Sequence, residues 1–196
     1  MAINKYHKMK RCRFLEMDPA SIGCYKKSIR TSGRKTRKIS EYGLQLREKQ
    51  RAKFIYCVNE KQFRKYYDMA DRMKGVTGSN MLSLLERRLD NVVFRMGLAN
   101  TRLQARQLVS HAHFLVNGKK VNIPSYLVKA GETIAVKESS KENAYFKAVK
   151  ETKAANMPKW VEFDTEKLEG KVLAIPAREE IDTQLEEHMI VELYSK

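Results

Sequence analysis

The chain has 196 residues, of which 42% are hydrophobic and 32% are charged, and its formal net charge is +16. This length allows one domain or two small domains with hydrophobic cores. So strong a positive charge is typical of proteins that bind nucleic acid or an anionic membrane, and it disfavours a generic cytosolic enzyme. No apolar run approaches the roughly 20 residues of a membrane-spanning helix. No apolar signal-peptide core follows the N-terminus, and the three cysteines are irregularly spaced, so the sequence predicts a soluble cytosolic protein without a disulfide framework.

The N-terminal part of the chain is the most basic. The net charge is +12 over residues 1–53, +9 over residues 54–150 and −5 over residues 151–196. Residues 1–40 have little apolar periodicity, so they are predicted to form a basic extension that folds on its partner. Its basic run is predicted to contact RNA through Arg34, Lys35, Arg37 and Lys38. His7, Cys12 and Cys24 leave a tetrahedral zinc site one ligand short, so no metal and no cofactor is predicted.

Residues 41–86 are predicted to form a helical domain, with residues 178–196 packing back onto it. Between about Tyr42 and Lys74 the pattern is helical and highly charged. Basic side chains outnumber the neighbouring acids, which favours RNA contact. The alternative is a solvated helix face in which Glu41, Glu48 and Glu60 pair with some of the cations. The candidates for RNA contact are Arg47, Lys49, Arg51, Lys53, Arg64 and Lys65.

The segment from Arg87 to Asn122 is predicted to contain two amphipathic helices and a tight hairpin. The apolar stripe of the first helix consists of Leu82, Leu85, Leu89, Val92 and Met96. The second helix begins at Thr101, and Gln104 completes a capping-box signature. Because few acids are nearby, the basic side chains are predicted to meet phosphates rather than form a solvated face. The candidates are Arg88, Arg95, Arg102, Arg106, His111, His113, Lys119 and Lys120, and for the two histidines a plain surface role is equally compatible.

Strands and turns are predicted in the remainder. Asn117-Gly118 indicates a hairpin between residues 114–116 and 120–122. Further strands are expected at residues 126–128, 133–136, 161–164 and 172–175, with a charged helix over residues 140–156. Residues 87–177 would form a second domain, with an RNA-binding module at about residues 87–147. The acidic C-terminal tail ends in an apolar segment that is expected to be docked.

The tripeptide Arg88-Leu89-Asp90 is similar to one that carries the nucleophilic aspartate of pseudouridine synthases. Those enzymes also join a small basic RNA-binding module to a catalytic domain. Asp90, however, lies inside a predicted helix, and the chain offers no large mixed sheet for a catalytic pocket. A structural role for Asp90 is therefore favoured, and the protein is predicted not to be an enzyme.

Several stretches together resemble the bacterial small ribosomal subunit protein four family, over about residues 41–196. The similar stretches include Gln62-Phe63-Arg64-Lys65-Tyr66-Tyr67, Arg88-Leu89-Asp90-Asn91-Val92-Val93, Ala105-Arg106-Gln107-Leu108-Val109-Ser110-His111 and Glu187-His188-Met189-Ile190-Val191-Glu192-Leu193-Tyr194. Residues 1–40 depart from the family, because the four-cysteine zinc knuckle of many relatives is absent. The resemblance therefore indicates a zinc-free form.

The resemblance implies an α+β fold in which a basic N-terminal arm precedes a helical domain and a small RNA-binding domain with a mixed sheet. It implies a structural protein of the small ribosomal subunit, bound to the ribosome in the bacterial cytoplasm, which binds rRNA first and nucleates assembly of the subunit body. The implied partners are small-subunit rRNA, messenger RNA at the entry channel and small-subunit protein five, with no membrane and no independent homo-oligomer. Contact with protein five, and through it translational accuracy, would involve Glu179, Glu186 and Glu187.

Two alternatives use the same RNA-binding module. One is an RNA-modifying enzyme, which would need a separate catalytic domain. The other is a stress factor that rescues stalled ribosomal particles. This alternative would be excluded if every small subunit constitutively contained one copy of the protein.

Overall fold

The protein is represented by a computed structural model, and the structure describes residues 7–25, 39–151 and 157–195. These residues divide into two compact units. Unit 1 comprises the described residues up to Met81 together with those from Thr183 onwards, and unit 2 extends from Leu82 to Asp182. Within the described ranges, no helix is both long enough and apolar enough to cross a membrane. The basic run that contains Arg34, Lys35, Arg37 and Lys38 lies outside the described residues.

Unit 1 is helical. Its helices are α1 (Lys8–Leu15), α2 (Glu41–Ile55), α3 (Glu60–Asp71), the beginning of α4 (Thr77–Glu86) and α9 (Glu187–Ser195), with a short 3₁₀ helix at Pro19–Ile22. Helix α2 begins where Ser40 accepts a hydrogen bond from the Gly43 N–H at 3.3 Å. Helix α9 packs on α2, and Ile190 at their contact is fully buried.

The N-terminal segment contains more structure than its sequence predicts. Helix α1 lies against α2 and buries Cys12 and Leu15 completely. Its last turn is held by Arg51 of α2, which donates to the carbonyl oxygens of Leu15 at 2.7 Å and Glu16 at 2.9 Å. Cations stabilise the carbonyl end of a helix. Part of the predicted basic extension is therefore a helix with contacts inside the chain.

Unit 2 combines α5 (Leu89–Arg95), α6 (Arg102–Ser110), α7 (Glu138–Lys141) and α8 (Ala144–Glu151) with a sheet. The strands among the described residues are β1 (Phe114–Val116), β2 (Lys119–Lys120), β3 (Thr133–Val136), β4 (Val161–Asp164) and β5 (Glu169–Val172), in the order β2-β1-β3-β5-β4. Every neighbouring pair is antiparallel, so the α+β class is confirmed but the expected mixed sheet is wrong. One face of the sheet and α5, α6 and α8 enclose a core that includes Phe114, Phe146 and Trp160.

Two local predictions are confirmed. Asn117 and Gly118 both have positive φ, +48° and +76°, as the two-residue hairpin between β1 and β2 requires. The Thr101 side chain accepts from the Gln104 N–H at 3.2 Å and begins α6. The Gln104 side chain bonds back to the N–H of Asn100, at 3.0 Å, rather than to that of Thr101.

Three predicted segments differ because long-range pairing overrides the local pattern. The single helix expected over residues 82–96 is divided into α4 and α5, since the Leu89 N–H donates to the Tyr126 carbonyl at 2.8 Å. Residues 126–128 contribute an isolated bridge and not a strand. The strand expected at residues 172–175 is found three residues earlier, as β5, where it pairs with β3 and β4.

Candidate RNA-binding site

The arginines predicted to form one basic surface lie on α5 and α6 and at the residue before α5. Arg88 precedes α5, Arg95 ends it, and Arg102 and Arg106 belong to the first turns of α6. The structure brings all four together around three polar groups of the same region, which are Glu86, Asp90 and Asn91.

Asp90 binds two of these arginines. Its carboxylate accepts from Arg88 at 3.0 Å and 2.8 Å, and from Arg106 at 2.8 Å and 2.7 Å. The side chains of Asp90 and Arg88 are 3% and 2% exposed, whereas that of Arg106 is 13% exposed. Arg106 therefore lies at the edge of the cluster, and Arg88 lies inside it.

Glu86 and Asn91 hold the other two arginines. The fully buried Glu86 accepts two hydrogen bonds from Arg95, each 2.9 Å long, and one from the Asn91 amide at 2.6 Å. Asn91 in turn accepts a hydrogen bond from Arg102 at 2.7 Å. The Arg102 guanidinium lies 4.5 Å from the centre of the Phe94 ring. Arg95 also reaches Asp182 at 3.0 Å.

This arrangement corrects the sequence-based account of the cluster. The prediction that few acids lie near the arginines is wrong, because Glu86, Asp90 and Asp182 pair with them. The prediction that Arg88 and Arg102 belong to a solvent-facing surface is also wrong, because both residues are buried. No local signal identifies the pair of Asp90 and Arg106, since these residues are sixteen positions apart in the chain.

The remaining predicted residues of unit 2 fall into two groups. Lys119 and Lys120 are exposed at the hairpin, and His111 is exposed at the end of α6. His113 is half-buried, because its Nδ1 lies 2.9 Å from the Ser140 hydroxyl and its ring meets the edge of Phe146. Burial, and then the proximity of His111, lowers the pKa of His113, which favours its uncharged form.

In unit 1 the structure separates paired from exposed cations. Arg47 pairs with Glu16 at 2.7 Å, and Arg51 pairs with Glu48 in addition to holding α1. Lys49 and Lys53 both donate to Glu60. Arg64 and Lys65, by contrast, are exposed on α3. The pairing with Glu48 and Glu60 that the alternative expects is thus found among the cations of α2, while Arg64 of α3 lies 6.0 Å from the centre of the Tyr194 ring.

Glu60 and Tyr194 connect this cationic face to α9. The Tyr194 hydroxyl donates to Glu60 at 2.8 Å, and its ring lies 4.8 Å from the Tyr67 ring centre and 5.1 Å from Lys49 Nζ. Burial raises the pKa of Glu60, but hydrogen bonds from Lys53, Lys49 and Tyr194 outweigh it and lower the pKa to about 2. Burial, and then the hydrogen bond to Glu60, raises the pKa of Tyr194.

The acidic residues predicted to form a protein interface are not equivalent. Glu179 and Glu186 are exposed. Glu187 is partly buried, and its Cβ and Cγ lie so close to Gly78 that a side chain could not be added there without displacement. Glu187 is thus part of the packing between α9 and α4.

Two of the cysteines, Cys12 and Cys24, lie in the N-terminal part of unit 1. Cys12 is buried, and Cys24 lies with its sulfur 3.6 Å from that of Met9. Burial, and then Cys24, raises the pKa of the Cys12 thiol. Within the described part of the chain no group of three or more His, Cys, Asp and Glu side chains is arranged to hold a metal ion.

Comparison with known proteins identifies the family of this chain. The family described as ribosomal protein S4/S9 N-terminal domain matches residues 3–86, and the S4 domain family matches residues 87–134. The small ribosomal subunit protein uS4 of Lachnospira eligens is 57% identical over the full length of both chains. That of Agathobacter rectalis is 55% identical, also over both full lengths. That of Caldicellulosiruptor saccharolyticus is 61% identical over 84% of this chain and 79% of its own.

The chain belongs to the small ribosomal subunit protein uS4 family. The resemblance stated from the sequence is thereby confirmed. This family consists of ribosomal proteins and not of enzymes, which agrees with the structural role predicted for Asp90. In the structure the Asp90 carboxylate accepts hydrogen bonds from two arginines, Arg88 and Arg106.

Proposed function

We propose that this protein is a structural constituent of the small ribosomal subunit and binds small-subunit rRNA. The observation that carries the proposal is the S4 domain match over residues 87–134 in a chain whose net charge is +16. The relatives are named as small ribosomal subunit proteins, which supports the assignment. Its place of action would be the bacterial cytoplasm, bound to the ribosome.

The proposed mechanism is neutralisation of the RNA backbone combined with recognition of folded RNA shape. Exposed positive charges are supplied by Lys119 and Lys120 of the hairpin and by Arg64 and Lys65 of α3. The partly exposed arginines around Asp90 and Glu86 supply cations with fixed geometry. Co-sedimentation of the purified protein with small subunits at low salt tests the assignment, and absence of the protein from the subunit peak would contradict it.

We further propose that the protein binds rRNA early and nucleates assembly of the subunit body. In a reconstitution from purified components, omission of this protein is expected to prevent later proteins from joining the particle. Normal incorporation of those proteins in its absence would refute the assembly role while leaving rRNA binding intact.

A contact with messenger RNA at the entry channel is proposed for Arg47 and Lys49. Their side chains are 17% and 14% exposed, which leaves part of each cation at the surface of α2. Arg51 is excluded from this proposal, since its hydrogen bonds secure α1. Arg47→Ala with Lys49→Ala is expected to slow translation through a stable hairpin while sparing an unstructured message. Equal slowing on both messages would count against the role.

The acidic C-terminal region is proposed to contact small-subunit protein five and thereby influence translational accuracy. Glu179 and Glu186 are exposed, and their charge would repel an RNA phosphate surface. A solvated acidic face on a docked helix is the alternative, and measurements of misreading alongside subunit yield distinguish the two.

A further inference from the structure

Unit 2 contains two buried acids, Glu86 and Asp90, at the centre of its arginine cluster. Next to an RNA surface, a negative charge should weaken binding by simple electrostatics. We propose that the carboxylates of Asp90 and Glu86 are instead positioning groups for rRNA binding. They hold partly exposed arginines in a fixed orientation at the surface. This inference rests on the proposed rRNA-binding function.

The Asp90 carboxylate has one arginine partner on its buried side and another on its exposed side. On the inner side, the buried Arg88 donates two hydrogen bonds to the carboxylate, of 3.0 Å and 2.8 Å. On the outer side, Arg106 donates through Nε and Nη2 to a single oxygen, at 2.8 Å and 2.7 Å. Two cations share one carboxylate, so the group keeps a net positive charge. Arg88 thus holds the orientation of the Asp90 carboxylate, and the carboxylate holds the orientation of the Arg106 guanidinium.

Glu86 repeats the pattern with different partners. The buried Asn91 donates to its carboxylate at 2.6 Å, and the partly exposed Arg95 donates two hydrogen bonds of 2.9 Å. Asn91 also accepts from Arg102 at 2.7 Å. In both cases a buried acid joins a buried partner to an arginine at the edge of the cluster.

Fixing an arginine before binding changes the energetics of RNA recognition. A long side chain that is free in solution loses rotamer freedom when it contacts a phosphate, which opposes binding. An arginine already held by two hydrogen bonds has lost that freedom on folding, and its planar fork has a fixed direction. Removing the acid would therefore weaken RNA binding even though it raises the net charge. Simple electrostatics predicts the opposite, that removing the acid strengthens RNA binding.

The test uses the full chain and an in vitro transcript of small-subunit rRNA. Asp90→Asn is compared with wild type and with Glu142→Gln, a matched loss of one negative charge at an exposed residue between α7 and α8. Asp90→Asn is expected to lower affinity about tenfold, the change expected for one charge-assisted hydrogen bond. The slope of log affinity against log salt is expected to become shallower by about 0.9, one phosphate contact. Glu142→Gln is expected to bind as wild type or more tightly.

Two further variants separate positioning from folding. Arg88→Gln combined with Asp90→Asn removes both charges of the inner pair, so no uncompensated buried arginine remains, and its affinity is expected to stay low. In the Arg106→Gln background, Asp90→Asn is expected to have little further effect, because both changes remove the same contact.

An affinity of Asp90→Asn equal to or above that of Glu142→Gln would overturn the inference. So would full recovery of affinity in the Arg88→Gln/Asp90→Asn double variant, since the loss would then reflect folding alone. Failure of the wild-type protein to bind the transcript would refute the proposed rRNA-binding function itself, which is a distinguishable result.

Discussion

The hydrogen bonds around Glu60 predict how the attachment of the C-terminal helix responds to pH. Glu60 accepts from Lys49, Lys53 and the Tyr194 hydroxyl, and Tyr194 belongs to α9. Glu60→Gln removes the negative charge but leaves an oxygen that can still accept from Tyr194. The variant is therefore expected to weaken unit 1 at neutral pH without unfolding it.

The magnitude follows from the pKa and from the exposure of the group. Lowering the pKa of Glu60 from its ordinary value of 4.5 to about 2 would correspond to roughly 3 kcal/mol of stabilisation. The Glu60 side chain is 47% exposed, however, and ion pairs screened by solvent rarely exceed about 1 kcal/mol. We therefore expect Glu60→Gln to reduce the free energy of unfolding by about 1 kcal/mol at pH 7. Ile190→Ala, which empties a fully buried site on the same helix, should reduce it by about 2–5 kcal/mol.

The stabilisation that Glu60 contributes is expected to decrease as the pH falls. Because the pKa of Glu60 is lower in the folded protein than in the unfolded chain, its stabilisation is complete above pH 4.5 and is lost as the pH falls towards 2. The glutamine side chain of the variant does not titrate. The stability difference between wild type and Glu60→Gln is thus expected to be constant from pH 5 to pH 7 and to disappear near pH 2.

Urea unfolding of both proteins at several pH values provides the measurement. Far-UV circular dichroism follows the helices, while fluorescence of Trp160, the single tryptophan, follows unit 2 separately. Tyr194→Phe serves as a control, because it removes one hydrogen bond to Glu60 and leaves the charge. A wild-type advantage of the same size at pH 2.5 and pH 7 would refute the assignment of this stability to the Glu60 carboxylate.

Four further outcomes are expected. Affinity for rRNA should fall by roughly 10³-fold or more between 50 and 200 mM salt if about 8 phosphates are neutralised, and a flat response would contradict electrostatic binding. Arg51→Ala should accelerate hydrogen exchange in α1, whereas unchanged exchange would show that α1 is held by its apolar contacts alone. Elemental analysis of the pure protein should find no stoichiometric metal, and a metal lost on replacing Cys12 or Cys24 would show this expectation to be wrong. Glu186→Lys should change stop-codon readthrough more than subunit yield, while Glu187→Lys should also reduce stability because Glu187 packs against α4.

The sequence determined those features that depend on neighbouring residues. Asn117 and Gly118 both adopt positive φ at little steric cost, so these two residues were enough to locate the hairpin in the sequence. Thr101 caps α6 through the backbone three residues later, which is also a local interaction. The strands at residues 133–136 and 161–164 agree with the structure, because alternation of buried and exposed side chains is visible in the sequence itself.

Tertiary structure alone decided what the charged residues do. From the sequence, the arginines of residues 88–106 looked unopposed, yet folding brings Asp90 to Arg106 and Asp182 to Arg95. The same is true of Arg51, whose partners on α1 lie 35 and 36 residues away. A guanidinium can reach any acceptor that the fold brings within a few ångströms, and sequence spacing does not encode that distance. The basic composition therefore indicated the kind of partner, whereas the fold determined which cations lie at the surface and which pair inside the protein.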